Sequence, residues 1–287
     1  MGEKKFKYWI QASRPKTLLV SMAPVVMSVA FASIYNKINW LAAVICLVFA
    51  VMAQILSNFV NDYSDGIKGA DNERLGPQRM VASGLISPRQ MRRGIIIWGV
   101  LTFMLGCTLL YWSGWILLPF GVVILLCALA YSAGPFPLSR HALGDVAVVL
   151  FYGLAPVALT FFIQTGFIDW KIIGAGLAIG IVANNLLIVN NYRDAEQDSK
   201  NNKCTTVTLF GKRFMKGVYF LSPLLAVILM CMIFNLSVLI YLVPFLAYAL
   251  FVDFKFSQAN GMGLNKLIGM SSLEAIIFAL SITLYLI

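Results

Sequence analysis

Apolar runs, many of them about 18–22 residues long, follow one another along this chain at roughly 18–34, 41–60, 95–112, 115–133, 145–166, 171–190, 217–234, 236–253 and 268–286. At 1.5 Å of rise per helical residue, runs of this length match the hydrocarbon core of a bilayer. Of the 287 residues, 60% are hydrophobic and 12% charged, where a soluble domain has about a quarter charged. A soluble helical protein would need polar faces on most helices, and these runs have almost none. The expected fold class is all-α: one polytopic bundle of about nine transmembrane helices spanning residues 1–287.

Charge sets the orientation. Twenty of the 22 Lys and Arg residues fall in the amino-terminal tail or in the connections after spans two, four, six and eight; only Lys37 and Lys171 fall on the other side. Basic loops face the cytoplasm, so the amino terminus is expected inside and, after nine spans, Ile287 outside. The net charge of +10 is thereby explained as loop bias, without a nucleic-acid partner. The first apolar run has no small-residue cleavage site after it and reads as a span, not a leader. The five scattered cysteines, with no CxxC pair, suggest neither disulfides nor a zinc site. No obligate protein partner is evident.

The acidic residues are as unevenly placed. Seven of twelve lie in two clusters: Asp62, Asp65, Asp71 and Glu73 after span two, and Asp194, Glu196 and Asp198 after span six. If the helices continue through these segments, Asp62 and Asp65 stand at i and i+3, and Asn61 and Asp65, like Asp194 and Asp198, at i and i+4, each spacing on one face. Carboxylates so placed repel each other unless a cation sits between them. Hard oxygen donors suit Mg²⁺, which takes one or two carboxylates plus substrate phosphate oxygens. Lys68, Arg74 and Arg79 follow the first cluster; Arg193, Lys200 and Lys203 flank the second. Carboxylates and cations together fit a metal-bridged diphosphate better than a cation-transport site, whose carboxylates would sit at the midplane.

The pair Asn61-Asp62-Tyr63-Ser64-Asp65 and Asn190-Asn191-Tyr192-Arg193-Asp194-Ala195-Glu196-Gln197-Asp198 resembles the signature of the UbiA superfamily of intramembrane prenyltransferases. The stretches ASRPKTL (12–18), RLGPQRMVASGLIS (74–87), YSAGPFPLSRHALGDV (131–146) and NNYRDAEQDSKNNKCTTVTLFGK (190–212) resemble its 1,4-dihydroxy-2-naphthoate polyprenyltransferase branch. Two departures stand out. The last Asp of the first motif is expected where Gly69 stands, and Asp71 comes two residues later. The GKRT that usually follows the second motif is here Asn202-Lys203-Cys204-Thr205, which puts a tight glycine turn in doubt.

The resemblance implies a Mg²⁺-dependent enzyme of the bacterial cytoplasmic membrane, with its active site at the cytoplasmic helix ends. It implies transfer of a polyprenyl group from polyprenyl diphosphate to an aromatic acid, with loss of CO₂ and diphosphate, as in menaquinone biosynthesis. Asp62, Asp65, Asp71, Asp194 and Asp198 would hold metal, and Lys68, Arg79 and Lys203 would stabilise the leaving diphosphate. Asn61 and Asn190 would contact substrate, and Arg140 the acceptor's carboxylate or the diphosphate. Tyr63, Tyr131 and Tyr192 would shield the allylic cation or serve as interfacial tyrosines. Asn58 would orient Asp62 or join two helices. Asn184, Asn185, Asn190 and Asn191 form a stripe expected to face the same cavity, and Asp145 is a candidate N-cap. The same fold with another acceptor (4-hydroxybenzoate or homogentisate), a secondary transporter and a CDP-alcohol phosphatidyltransferase are the rival readings; Asp65-Gly66 lacks the continuation that the last requires.

Overall fold

The computed structural model describes the backbone of residues 2–67 and 76–287 and the side chains of residues 6–67 and 76–287. Thirteen α-helices follow in order among these residues: α1 (Gly2–Ser13), α2 (Leu18–Ser33), α3 (Trp40–Ile67), α4 (Pro88–Thr108), α5 (Leu110–Ser113), α6 (Leu117–Ala130), α7 (Gly144–Val149), α8 (Ala155–Thr165), α9 (Trp170–Lys200), α10 (Thr206–Phe210), α11 (Lys212–Phe234), α12 (Leu239–Gln258) and α13 (Leu264–Leu286). Eight helical segments are long and apolar enough to cross a membrane. The ninth expected span is α6, whose 14 residues reach only about 21 Å; it is shorter at both ends than the apolar run that announced it.

Two helices overrun their apolar runs. α3 continues through Asp65 to Ile67, and α9 continues through Asp198 to Lys200. Asp62 and Asp65 of the first cluster and the whole of the second therefore ride on unbroken helix, and the i, i+4 spacing read from the sequence becomes a shared face.

α9 is the most buried of the spans, and glycines let it sink into its neighbours. α7 passes into α8 through a π turn, Leu150–Leu154. A Cβ on Gly153 in that turn would lie 2.4 Å from the Gly176 carbonyl oxygen and 2.5 Å from the Gly180 Cα. A Cβ on Gly180 would meet the Val149 carbonyl oxygen at 2.7 Å. Gly176 and Gly180 are four apart on one face of α9, the small-residue spacing that lets membrane helices approach backbone to backbone. Pro156 opens α8 directly after the turn, where its missing N–H is tolerated. Around α9 the main core packs Phe31, Phe161, Ile179, Phe245 and Phe278, all buried.

Candidate active site

In the first cluster, each residue of the Asn61–Gly66 stretch has a distinct place. The Asp62 carboxylate is buried and accepts from two backbone N–H groups, Met80 at 2.9 Å and Val81 at 2.8 Å. This pins the Pro77–Ser83 loop onto α3. Gly66 makes room for it, since a Cβ there would lie 2.7 Å from Val81. The pinned loop presents Arg79, whose guanidinium donates to the Asn61 carbonyl at 3.0 Å and pairs with Asp65. Asp62, expected among the metal ligands, thus has both oxygens engaged in holding the loop. Asp65 is the carboxylate of this cluster that is set between cations, with Arg140 at 3.6 Å on its other oxygen.

The second cluster is ordered by Arg193, whose side chain is fully enclosed. Its Nε and Nη2 donate to the two oxygens of Asp194 at 2.7 and 2.6 Å, its Nη1 to Asn265 at 2.8 Å and its Nη2 to Asn190 at 2.8 Å. Such fork-to-carboxylate pairing fixes Asp194 in one orientation. Asn190 is therefore engaged by Arg193 while also lining the cavity. One turn on, Asp198 accepts from Lys203 at 3.2 Å to each oxygen.

The turn that returns Lys203 to Asp198 does not need glycine. Asn202 takes the left-handed conformation, φ 50°, which asparagine tolerates better than most residues, and the Lys203 N–H closes on the Asp198 carbonyl at 2.8 Å. Asn202→Gly is expected to leave thermal stability unchanged or slightly raised. Asn202→Val is expected to cost about 1–2 kcal/mol and to weaken activity by displacing Lys203; paired melts and rate assays check both.

A short bridge joins the loops that carry the cations. Ala142 N–H donates to the Cys204 carbonyl at 2.8 Å, and Cys204 N–H donates to the Arg140 carbonyl at 3.2 Å. This sets Arg140, which reaches Asp65, beside Lys203, which holds Asp198. His141 faces away: its ring stacks on Phe136 with centroids 3.7 Å apart, and Nδ1 lies 2.8 Å from the Pro137 carbonyl.

Asp62 and Asp65 of the first cluster and Asp194 and Asp198 of the second line one cavity of about 580 Å³; Glu196 lies outside it, paired with Lys212. The polar end of the cavity, its mouth, holds Asp65, Arg79, Arg140, Asp194, Asp198 and Lys203, and its interior becomes apolar between α3, α4, α6 and α8, past Phe49, Leu117 and Ile163. Tyr131 lines it, as expected. Tyr63 and Tyr192 do not. Tyr63 packs against the small core that includes Phe59, Met80 and Met91, and Tyr192 stands edge-on to Phe256 at 5.0 Å under the Lys212 ammonium. The reason is helical phase: Tyr192 sits between Asn190 and Asp194 in sequence but on the opposite face of α9. Tyr192→Phe should leave transfer unchanged, whereas Tyr192→Ala should cost about 2–3 kcal/mol of stability, less than the ~3–5 of a fully buried aromatic, with donor affinity retained.

Other expectations change as well. Asn58 does not orient Asp62; its amide donates to the Ser13 carbonyl at 2.9 Å and reaches Thr17 at 3.5 Å, tying α3 to the start of α2. Asn190 and Asn191 line the cavity, but Asn184 donates to Asp145 at 3.0 Å and Asn185 turns towards Glu274 on α13. Asp145 does not cap α7; it lies inside the first turn and accepts from Asn184 and Thr206. Lys68 and Asp71, along with Glu73 and Arg74, lie outside the described residues.

Three cavity groups carried no expectation. Arg14, left-handed at φ 51°, lines the cavity and lies within electrostatic reach of Tyr131 and Tyr152. The Tyr152 hydroxyl donates to Gln54 across the interior. Tyr152 and Gln54 were legible in principle, as single polar groups inside apolar runs.

Among the described residues, no three carboxylates approach closely enough to enclose one metal ion by themselves. That suits Mg²⁺, which keeps water and phosphate oxygens among its ligands and needs only one or two carboxylates. Asp65, Asp194 and Asp198 lie within electrostatic reach across the mouth, and the buried Asn61 side-chain oxygen beside them has no hydrogen-bond partner. These hard oxygen donors fit the ion.

The sequence profile of the UbiA prenyltransferase family matches residues 21–262. A 1,4-dihydroxy-2-naphthoate octaprenyltransferase of Haemophilus influenzae is 35% identical over 240 residues, covering 80% of this chain and 77% of that protein. Its counterpart of the same description in Escherichia coli is 33% identical over 213 residues, covering 71% and 68%. The fold matches an apo UbiA homolog from Aeropyrum pernix K1 with a TM-score of 0.71 at 14% identity, covering 94% of this chain and 98% of that one. It also matches a UbiA homolog from Archaeoglobus fulgidus bound to GPP and Mg²⁺, with a TM-score of 0.68 at 18% identity over 96% and 99%. With its eight long apolar helices, its paired acidic clusters and these relatives, the chain is an integral membrane protein belonging to the UbiA prenyltransferase family.

Proposed function

We propose that this protein transfers a polyprenyl group from polyprenyl diphosphate to 1,4-dihydroxy-2-naphthoate, with loss of diphosphate and CO₂. The observation that carries the reading is the cavity: carboxylates and cations meet at one mouth, above an interior that turns apolar along α3. A diphosphate suits the mouth and an isoprenoid tail suits the interior. The naphthoate relatives, at about a third identity, favour that acceptor over other aromatic acids.

Asp65, Asp194 and Asp198, with the Asn61 oxygen, would hold Mg²⁺, which when bound neutralises the leaving diphosphate. Arg79, Arg140 and Lys203, which already lie against these carboxylates, would take up phosphate oxygens. Arg14, which lines the same cavity within electrostatic reach of Tyr131 and Tyr152, would bring a positive charge near the acceptor's carboxylate. The two tyrosine rings border the path of the allylic group and shield it from water. By the positive-inside distribution, this mouth opens to the cytoplasm, with the amino terminus inside and Ile287 outside.

The test is incubation of purified protein with Mg²⁺, labelled polyprenyl diphosphate and a panel of aromatic acids. The expected outcome is turnover of 1,4-dihydroxy-2-naphthoate with stoichiometric CO₂. Equal turnover of 4-hydroxybenzoate would refute the choice of acceptor.

A further inference from the structure

Five carboxylates among the described residues line the cavity; three are paired with cations and a fourth, Asp62, is buried on two backbone N–H groups. Asp65 pairs with Arg79 and Arg140, Asp194 with Arg193, Asp198 with Lys203, and Asp62 with two backbone N–H groups. Asp145 is the exception. Its side-chain partners are neutral, the Asn184 amide at 3.0 Å on Oδ1 and the Thr206 hydroxyl at 2.7 Å on Oδ2, and among the described residues no cation lies within ion-pair distance. Each oxygen keeps a second lone pair, and the group is half-buried on the cavity wall. A half-buried carboxylate held in one orientation on a cavity wall, with no cation paired to it, is well placed to accept a proton from a bound substrate.

Its position agrees. The adjacent Gly144 puts the backbone at the Tyr131 hydroxyl, where an added Cβ would lie 3.5 Å away. Tyr131 in turn lies within electrostatic reach of both Asp145 and Asp65. Asp145 therefore shares one stretch of cavity wall with Tyr131, within electrostatic reach of the carboxylate assigned to the diphosphate end.

We infer that Asp145 is the general base of the transfer, an inference that rests on the proposed prenylation of an aromatic acid. As the ring carbon bearing the carboxylate bonds to the allylic carbon and the C–O bond to diphosphate breaks, Asp145 takes the proton of the neighbouring ring hydroxyl. That oxygen becomes a carbonyl. The electron pair of the ring–CO₂⁻ bond then returns to the ring as CO₂ departs, the carbonyl becomes an oxyanion again, and it recovers its proton from Asp145. Atoms and charge balance with no further reactant, and the aspartate ends as it began.

The experiment uses the full chain in nanodiscs with Mg²⁺, labelled polyprenyl diphosphate and 1,4-dihydroxy-2-naphthoate. Asp145→Asn keeps the shape and both scaffold bonds, and should lower kcat by about 10²–10⁴-fold with the diphosphate KM little changed. A ring-fluorinated acceptor, whose hydroxyl ionises with less help, should narrow that gap. The double variant Asn184→Leu/Thr206→Val removes both bonds to the scaffold but keeps the carboxylate, and should stay well above Asp145→Asn. An Asp145→Asn rate within about threefold of wild type, below the smallest contribution expected of a general base, would overturn the inference. So would a double variant that falls as far as Asp145→Asn, even if the latter does not fold. Wild-type protein that turns over no aromatic acid would instead refute the proposed function.

Discussion

Asp194→Asn should abolish most of the transfer while leaving the protein folded. The carboxylate is held by two charge-assisted bonds from Arg193, at 2.7 and 2.6 Å, and this fork also reaches Asn265 and Asn190. An amide at position 194 keeps one acceptor oxygen for the guanidinium, so the helix end stays in place. What disappears is a negative charge at the cavity mouth, where on the proposed function both the metal ion and the cations that receive diphosphate would be balanced. Loss of one such preorganised electrostatic partner typically lowers kcat by about 10²–10³-fold, and a larger loss is expected here because the metal site itself is weakened. The Mg²⁺ concentration giving half-maximal rate should rise in the variant, and EDTA should silence the wild type. Rates titrated against Mg²⁺, with a melt on the same sample, check both parts. Asp65→Asn should behave alike, except that it frees Arg79 and Arg140 from their shared partner.

Gly180→Val should be among the most destabilising single changes in the protein. A Cβ at this position would lie 2.7 Å from the Val149 carbonyl and 3.0 Å from the Val149 Cα. Both are backbone atoms that cannot rotate aside. Relief requires α9 to move away from the π turn, opening the contact across Gly153 and Gly176 as well. The cost should reach about 3 kcal/mol, the upper end of ordinary overpacking, or exceed it. Because α9 carries Asn190, Asp194 and Asp198, the surviving folded fraction should also bind diphosphate poorly. Gly269→Ala in α13 is the control: a Cβ there meets nothing within 4 Å, and alanine favours helix by up to about 1 kcal/mol over glycine. Thermal unfolding in detergent should separate the two variants clearly.

How much of this was legible in the sequence depended on the length scale of each feature. Spans were readable because a bilayer demands uninterrupted apolar length, whereas the overrun of α3 and α9 entered only as the condition under which their polar residues would share a face. α6 fell short because turns at Trp115–Ile116 and from Tyr131 onward take up both ends of its apolar run without interrupting its hydropathy. At the site, Asp65, Asp194, Asp198, Arg79, Arg140 and Lys203 were all singled out as candidates, and the fold brings them to one mouth. The misreadings concern direction. Tyr192 belongs to the motif but points into the packing of α11 and α12, and Asp62 belongs to it but holds a loop through backbone N–H groups that no residue type announces. Asp145 read as a helix cap because its partners, Asn184 and Thr206, are 39 and 61 residues away. Long-range pairing of that kind has no local signature.

The central claim is that the two acidic clusters jointly hold a metal-bound diphosphate. Crystals grown with Mn²⁺ in place of Mg²⁺ and an unreactive prenyl thiodiphosphate test it directly, through the anomalous signal of the metal. The account predicts metal density at the cavity mouth, ligated by Asp65 from α3 and by Asp194 or Asp198 from α9, with phosphate oxygens completing the shell. Metal bound by one cluster alone, or a diphosphate seated away from both, would contradict it.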